Sequence, residues 1–278
     1  MSDKSRVLAV GSDYIISHSI DNWSQASNDK QKIHFIFRSN TPVVCVDVKQ
    51  DKCVILQESI DAKIENKKIS LSRPNEISLS MHIANGSLKK SQGLRKLIVQ
   101  KIGKDKNKKF YENDVVEIYD YLEEVQKAIV FSYKAIEAMC NSAIPDDYVY
   151  KKPSNKTGVV EVYDKLGIER WVSTTEKVSK ILPDIYHCVS PAQKPFWGHF
   201  KKLEELRNEI IHSKSSSTSQ VLSELLSTDI GMYVKSCEAL LKFFFEQDRR
   251  NYLFPLIPGV TEIVSHQMED MEEYFKNI

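Results

Sequence analysis

The chain is poor in the residues that mark several large protein classes. Among its 278 residues there are nine glycines and nine prolines, too few for a collagen-like or low-complexity chain. Its cysteines, Cys45, Cys53, Cys140, Cys188 and Cys237, are odd in number and widely spaced, which does not suit a disulfide framework. There is no Cys-x-x-Cys pair, so no structural zinc site is expected. Free thiols in a reducing compartment are the expectation instead. Long hydrophobic runs are missing too. The strongest, Leu240-Leu241-Lys242-Phe243-Phe244-Phe245, falls far short of the ~20 residues that span a bilayer. The apolar residues Val7–Val10 are too few for a secretory leader. A cytoplasmic protein without membrane contact is expected.

Several catalytic motifs are also absent. The sequence holds no Gly-rich phosphate loop, no Gly-x-Gly-x-x-Gly, no His-Glu-x-x-His and no Gly-x-Ser-x-Gly. Most nucleotide-hydrolysing, dehydrogenase, zinc-protease and serine-hydrolase chemistries lose their usual residues with them. No cofactor and no metal is expected.

What is present suits a globular chain: 41% hydrophobic residues, 28% charged residues and a net charge of +1. The length suffices for one large or two ordinary domains. The first hundred residues read as β. Val44, Val46 and Val48 alternate with Cys45 and Asp47, and Ile77, Leu79, Met81 and Ile83 alternate with Ser78, Ser80 and His82. Such alternation marks half-buried strands. Ile33–Phe37 and Cys53–Gln57 are further strand candidates, with loops such as Ser24–Asn28 between them. A small antiparallel sandwich or barrel is expected.

From Lys89 to Lys109 the chain carries nine Lys or Arg (Lys89, Lys90, Arg95, Lys96, Lys101, Lys104, Lys106, Lys108 and Lys109) against one acid, Asp105. Such a block is either a solvated linker or a patch that attracts phosphates. Lys104–Lys109 is the expected domain boundary. It separates a β-rich domain over residues 1–103 from an α-helical domain over 104–278. The fold class expected is therefore α+β.

After Phe110 the period becomes helical. Leu122, Val125, Ile129, Ile136, Met139, Cys140 and Ala143 share one face of a long helix that Pro145 ends. A polar loop over Asp146–Gly158 follows, then shorter helices at Glu161–Leu166 and Thr174–Leu182. Pro191 and Pro195 introduce a helix over Phe196–Ser213, and the Ser-rich stretch Ser213–Ser219 breaks the pattern. A last long helix runs through Ile230, Tyr233, Val234, Cys237, Leu240, Leu241 and Phe244. The tail carries Pro255, Pro258 and an acidic helix near Ser265–Phe275.

The helix over Phe196–Ser213 is unusual. Advancing about 100° per residue, Phe196, Phe200, Leu203, Ile210 and Ile211 form one stripe, and Arg207 falls inside it. A guanidinium on a core-facing surface is costly unless it is paired or lines a cavity. Asn208 and His212 lie on the border of the stripe. One reading is structural: Arg207 caps carbonyls, and His212 interacts with the helix dipole at the C-terminus. His199 is expected to pack. Glu137, at the edge of the long helix's apolar face, is placed to pair with Arg207 across the helix contact.

The segments Phe131-Ser132-Tyr133-Lys134-Ala135-Ile136-Glu137-Ala138-Met139-Cys140-Asn141 and Leu206-Arg207-Asn208-Glu209-Ile210-Ile211-His212, in their order of long helix, short helices, motif helix and final long helix, resemble the HEPN superfamily of helical nucleotide- and RNA-binding domains. That family's signature is an Arg, usually followed by a polar residue, with a His after four to six intervening residues. Here four residues separate Arg207 from His212. The resemblance covers about Phe110–Gln247.

The resemblance implies a metal-independent endoribonuclease, of toxin or antiviral-defence type, whose motifs pair in a homodimer. It casts His212 as acid or base, Arg207 as the phosphate holder, and Asn208 as the group that orients phosphate or ribose. Glu137 completes the candidate set. The implied partners are an RNA substrate, a second copy of the chain and a regulatory or antitoxin protein. The alternative is a non-catalytic HEPN dimer that binds nucleotide, RNA or a partner protein.

Overall fold

A computed structural model describes residues 13–24, 38–105, 107–153, 160–212, 218–227, 230–248 and 265–267. The chain forms two compact units, Met1–Leu79 with Phe245–Ile278, and Ser80–Phe244. The fold is α+β, with the strands of the main sheet in the first unit and the helices chiefly in the second.

The first unit is built on β3 (Lys52–Ile64), which pairs antiparallel with β1 (Asp13–Asp21), β2 (Val43–Asp47) and β4 (Lys67–Ser72). β7 (Ser265–Gln267) joins the outer edge of β2 in parallel. Alternation accounts for the packing. Val43, Cys45 and Leu56 form one cluster, and Val44, Val46, Cys53 and Ile55 form another. Successive side chains of a strand point to opposite faces, so β2 is buried on both. The β3–β4 turn is Glu65-Asn66, with φ of 47° and 67°. Two consecutive positive φ values give the turn whose twist matches a two-residue hairpin. Among the described residues these strands form one sheet, and not the expected sandwich or barrel. The candidate Cys53–Gln57 lies in β3, whereas Ile33–Phe37 falls outside the described residues.

The strand expected at Ile77–Ile83 is instead the start of α1 (Glu76–Ile102). Asn75 supplies the reason: its Oδ1 accepts from the Ser78 N–H at 3.0 Å, an N-cap bond. Burial then follows the helical period. Ile77, Met81 and Ala84 are buried while Ile83 is 38% exposed. Gly103, at φ 56°, ends the helix, its N–H donating to Val99 at 3.1 Å; glycine takes this left-handed conformation without strain. Most of the basic segment expected as a linker is therefore helical, and the units divide at Leu79/Ser80 and not near residue 103.

The second unit is centred on α2 (Val116–Ala143), entered by a 3-10 turn at Glu112–Val115. Tyr121, Val125, Ala128, Ile129, Ser132, Ala135, Ile136 and Met139 give it a buried stripe. The expected loop at Asp146–Gly158 contains β5 (Tyr150–Pro153), which pairs with β6 (Val160–Tyr163). The helix expected at Glu161–Leu166 begins later, as α3 (Lys165–Trp171), because the Asp164 side chain caps it at Gly167. Then come α4 (Thr174–Glu176), a π-helical turn at Lys177–Ile181 and α5 (Leu182–Ile185). The motif helix is α6 (Trp197–Ile211), which packs on α2. α7 (Thr218–Ser227) begins within the Ser-rich stretch expected only as a break, and Lys202 reaches its Glu224 at 2.9 Å. α8 (Gly231–Phe245) buries Val234, Cys237, Leu240, Leu241 and Phe244. The helix expected near Ser265–Phe275 is a strand over its first three residues, and the rest lies outside the described ones. Among the described residues no helix is long and apolar enough to cross a membrane.

Candidate functional site

α6 starts after Pro195 and ends at His212, whose φ of −110° and ψ of 41° leave the helix while its N–H still donates to the Asn208 carbonyl at 2.9 Å. Its buried residues are Phe200, Leu203, Glu204 and Leu206. That face keeps Phe200 and Leu203 of the expected stripe, with Phe196 and Ile210 half-buried beside them. Ile211 is 49% exposed, and a carboxylate, Glu204, is 9% exposed.

Glu204 explains how the face tolerates charge. Its Oε1 accepts from the Tyr133 hydroxyl at 2.9 Å, and its Oε2 accepts from Thr175 at 2.6 Å and from the Lys201 ammonium. Lys201 also donates to Thr175 at 2.8 Å. Burial by itself raises the Glu204 pKa, but hydrogen bonds from Lys201, Thr175 and Tyr133 outweigh it and hold the carboxyl below its usual value. Tyr133 is shifted the other way. Burial is the largest cause, and the charges of Glu204 and Glu137 add to it, so its phenol resists ionisation. Its ring stacks on Phe200, with centroids 6.3 Å apart and planes 11° from parallel.

Arg207 rests on this platform. Its guanidinium carbon lies 4.9 Å from the Tyr133 ring centroid, within cation–π range. Nη2 reaches Glu137 Oε1 at 3.5 Å, and Nη1 donates to Asn208 Oδ1 at 3.0 Å. The Arg207 side chain is 23% exposed and that of Glu137 is 36% exposed. Arg207, Asn208 and Glu137 are thus brought together, with the Arg207 side chain still partly exposed.

His212 is exposed. Among the described residues, no hydrogen bond or ion pair joins its side chain to the other three. His199 packs near Tyr233, with ring centroids 6.0 Å apart.

Lys177 lies on the π-helical turn and is 4% exposed. Its ammonium donates to Asn141 Oδ1 at 3.0 Å and to the Glu169 carbonyl at 3.1 Å. Burial lowers its pKa, against the pull of Cys140, Glu137 and Glu169. Glu137 thus interacts with two cations, Arg207 in contact and Lys177 at longer range. Burial pushes the Cys140 thiol up to about 12 and the Cys45 thiol up to about 11. Neither is a ready nucleophile, because the thiolate is the reactive form.

Reading the sequence by apolar periodicity missed Tyr133, Thr175, Lys177, Lys201 and Glu204. The spacing Lys201-x-x-Glu204-x-x-Arg207 was the available signal, since residues three apart are neighbours on a helix. Comparison of the chain with protein-family models, with curated proteins and with solved structures finds no match.

Proposed function

We propose that the helical unit is a HEPN-type endoribonuclease that cleaves RNA by attack of its own 2′-hydroxyl. The observation that carries this reading is the partly exposed Arg207 side chain, its guanidinium seated on Tyr133 and flanked by Asn208 and Glu137. A guanidinium presents several N–H donors in a fixed fork, which suits a phosphate. Asn208 is exposed beside it and orients phosphate or ribose. Glu137 holds the fork from the far side.

His212 supplies proton transfer, as imidazole does near neutral pH. One imidazole takes the 2′-hydroxyl proton as O2′ attacks phosphorus. The P–O5′ bond breaks, and a second imidazole protonates the leaving 5′-oxygen. The products are a 2′,3′-cyclic phosphate and a 5′-hydroxyl. Arg207 stabilises the charge that builds on the phosphate oxygens. Among the described residues the His212 side chain makes no hydrogen bond to Arg207, Asn208 or Glu137, which favours a site shared by two copies, in which a partner's imidazole completes the pair. These steps use only groups of the chain and the RNA. We assign the enzyme to the toxin or antiviral-defence type, with the β unit recruiting RNA or sensing a trigger.

The second reading is a non-catalytic dimer that binds RNA, nucleotide or protein, and the Arg207–Glu137 pair favours it by occupying part of the fork. Incubating the full chain with RNA in chelator, beside an Arg207→Ala control, separates the two. Cleavage lost in the variant supports the enzyme, and binding without cleavage supports the alternative.

A further inference from the structure

Away from the motif, the helical unit contains a cleft of about 660 Å³ between α1, the start of α2 and the start of α8. That volume lies within the range of small-molecule sites, roughly 300–1,000 Å³. One long wall is a single face of α1, because Leu88, Gln92, Arg95 and Val99 recur at helical spacing. This face is left open, with Val99 58% exposed. The Tyr121 ring and Ile230 line it from the other elements.

Among the described residues the charge of the cleft has one sign: Arg95 and Lys96 both line it, and no carboxylate does. Arg95 is fixed in place: Nη1 donates to the Tyr121 hydroxyl at 3.0 Å and the Leu226 carbonyl at 2.8 Å, and Nη2 donates to the Ser227 carbonyl at 3.4 Å. All three acceptors are neutral, so the positive charge is held without an opposing carboxylate. A guanidinium has five N–H donors, and some remain for a guest. Lys96 has no ion pair or hydrogen bond among the described residues. Among the described acids of α2 and the turn before it, Asp114 and Glu117 are engaged by Lys101, and Glu124 by Lys90 and Lys127. Gln92 and Gln100 add amide groups to the rim.

We infer that this cleft binds a small organic anion with a flat apolar body and one phosphate-type head. The apolar walls take the body, and Arg95 and Lys96 take the head. A purely apolar guest would leave both cations in a narrowed, partly dehydrated cleft without a counter-charge, and an inorganic anion would leave the apolar walls wet. Tyr121 and Glu137 are sixteen residues apart on α2, roughly 24 Å at the rise of an α-helix. The site is therefore separate from Arg207 and does not depend on the ribonuclease reading.

The test is isothermal titration of the full chain with 1-naphthyl phosphate, 1-naphthol and inorganic phosphate. The naphthyl phosphate should bind one per chain, at least tenfold more tightly than either other probe. Lys96→Glu and Val99→Glu, both at exposed positions, should each weaken it at least tenfold with the far-UV dichroism unchanged. Arg207→Ala should leave it intact. Equal affinity for 1-naphthol, full binding in both cleft variants, loss of binding in Arg207→Ala, or no binding at millimolar naphthyl phosphate would each overturn the inference.

Discussion

The Arg207 guanidinium sits 4.9 Å above the ring of Tyr133, a residue only 4% exposed whose hydroxyl is tied to buried Glu204. The guanidinium position therefore depends on a buried hydrogen bond one layer below it. A ring that is pinned at its edge holds a cation in one place, and a free ring does not.

Separating ring from hydroxyl tests this. Tyr133→Phe keeps the surface under Arg207 but removes one donor from Glu204, which retains Thr175 and Lys201. Its cost should be about 1–3 kcal/mol, the usual range for a buried partner left short. Tyr133→Leu removes ring and hydroxyl together and should be less stable still. Urea denaturation of both variants measures the difference, and equal midpoints for the two would show that the ring contact contributes nothing.

Glu204 makes the same cluster sensitive to acid. Its folded pKa is held below the ordinary value of 4.5, with burial opposing and the Lys201, Thr175 and Tyr133 hydrogen bonds prevailing. A depressed carboxyl pKa contributes stability above the unfolded value and loses it as the pH falls through the folded one. Wild type should therefore exceed Glu204→Gln in stability at pH 7, and the gap should begin to close as the pH falls below the ordinary value of 4.5. Parallel unfolding curves for the two proteins across this window would exclude the ionised carboxylate as the stabilising form.

How much of this was legible in the sequence depended on whether a signal was local. The long α2 stripe, the end of that helix before Pro145 and the pairing of Glu137 with Arg207 followed from periodicity on two helices. The alternation at Ile77–Ile83 misled, because a seven-residue stretch that alternates also fits a helix whose buried residues are Ile77, Met81 and Ala84. The deciding feature was the Asn75 cap, one polar side chain outside the pattern. Glu204 was hidden for another reason. A carboxylate on a helix reads as solvent-facing until its partners are known, and Tyr133 and Thr175 come from elements far away in sequence.

The basic segment yields a charge-specific prediction. Lys101 is held by Glu117 and Asp114, and Lys90 reaches Glu124 at 4.0 Å. Lys89, Lys104, Lys108 and Lys109 are exposed and lack such partners among the described residues. Neutralising those four should weaken RNA binding and flatten its salt dependence, by about 0.7 in log–log slope for each phosphate of a single strand that is no longer neutralised. Neutralising Lys101 alone should leave the slope unchanged. A titration series from low to moderate salt decides, and an unaltered slope in the fourfold variant would remove this segment from RNA binding.

The proposed shared site requires two chains. Ile211 is 49% exposed and Met232 is 48% exposed, at the end of α6 and the start of α8, where a partner would cover them. Light scattering at micromolar concentration should give a dimer, and Ile211→Glu should give a monomer that no longer cleaves RNA. A wild-type monomer that cleaves at full rate would refute the two-chain site.

The chemistry itself gives the most direct test. If O2′ is the nucleophile, the first product is a 2′,3′-cyclic phosphate, and DNA resists because it lacks that hydroxyl. If the proton donors and acceptors are imidazoles and the charge stabiliser is a guanidinium, cleavage persists in EDTA. Arg207→Ala and His212→Ala should each reduce kcat on the order of a hundredfold or more, the usual scale for removing an acid–base or charge-stabilising group. Both should keep their fold, since His212 is exposed and the Arg207–Glu137 pair is a loose one, 3.5 Å between partly exposed side chains. Mass spectrometry of the cleaved ends, beside rates for the two variants, reads all of this in one experiment. Strict dependence on a divalent cation, cleavage of DNA, or an unimpaired His212→Ala protein would each defeat the mechanism, and the last would leave Arg207 as a binding group alone.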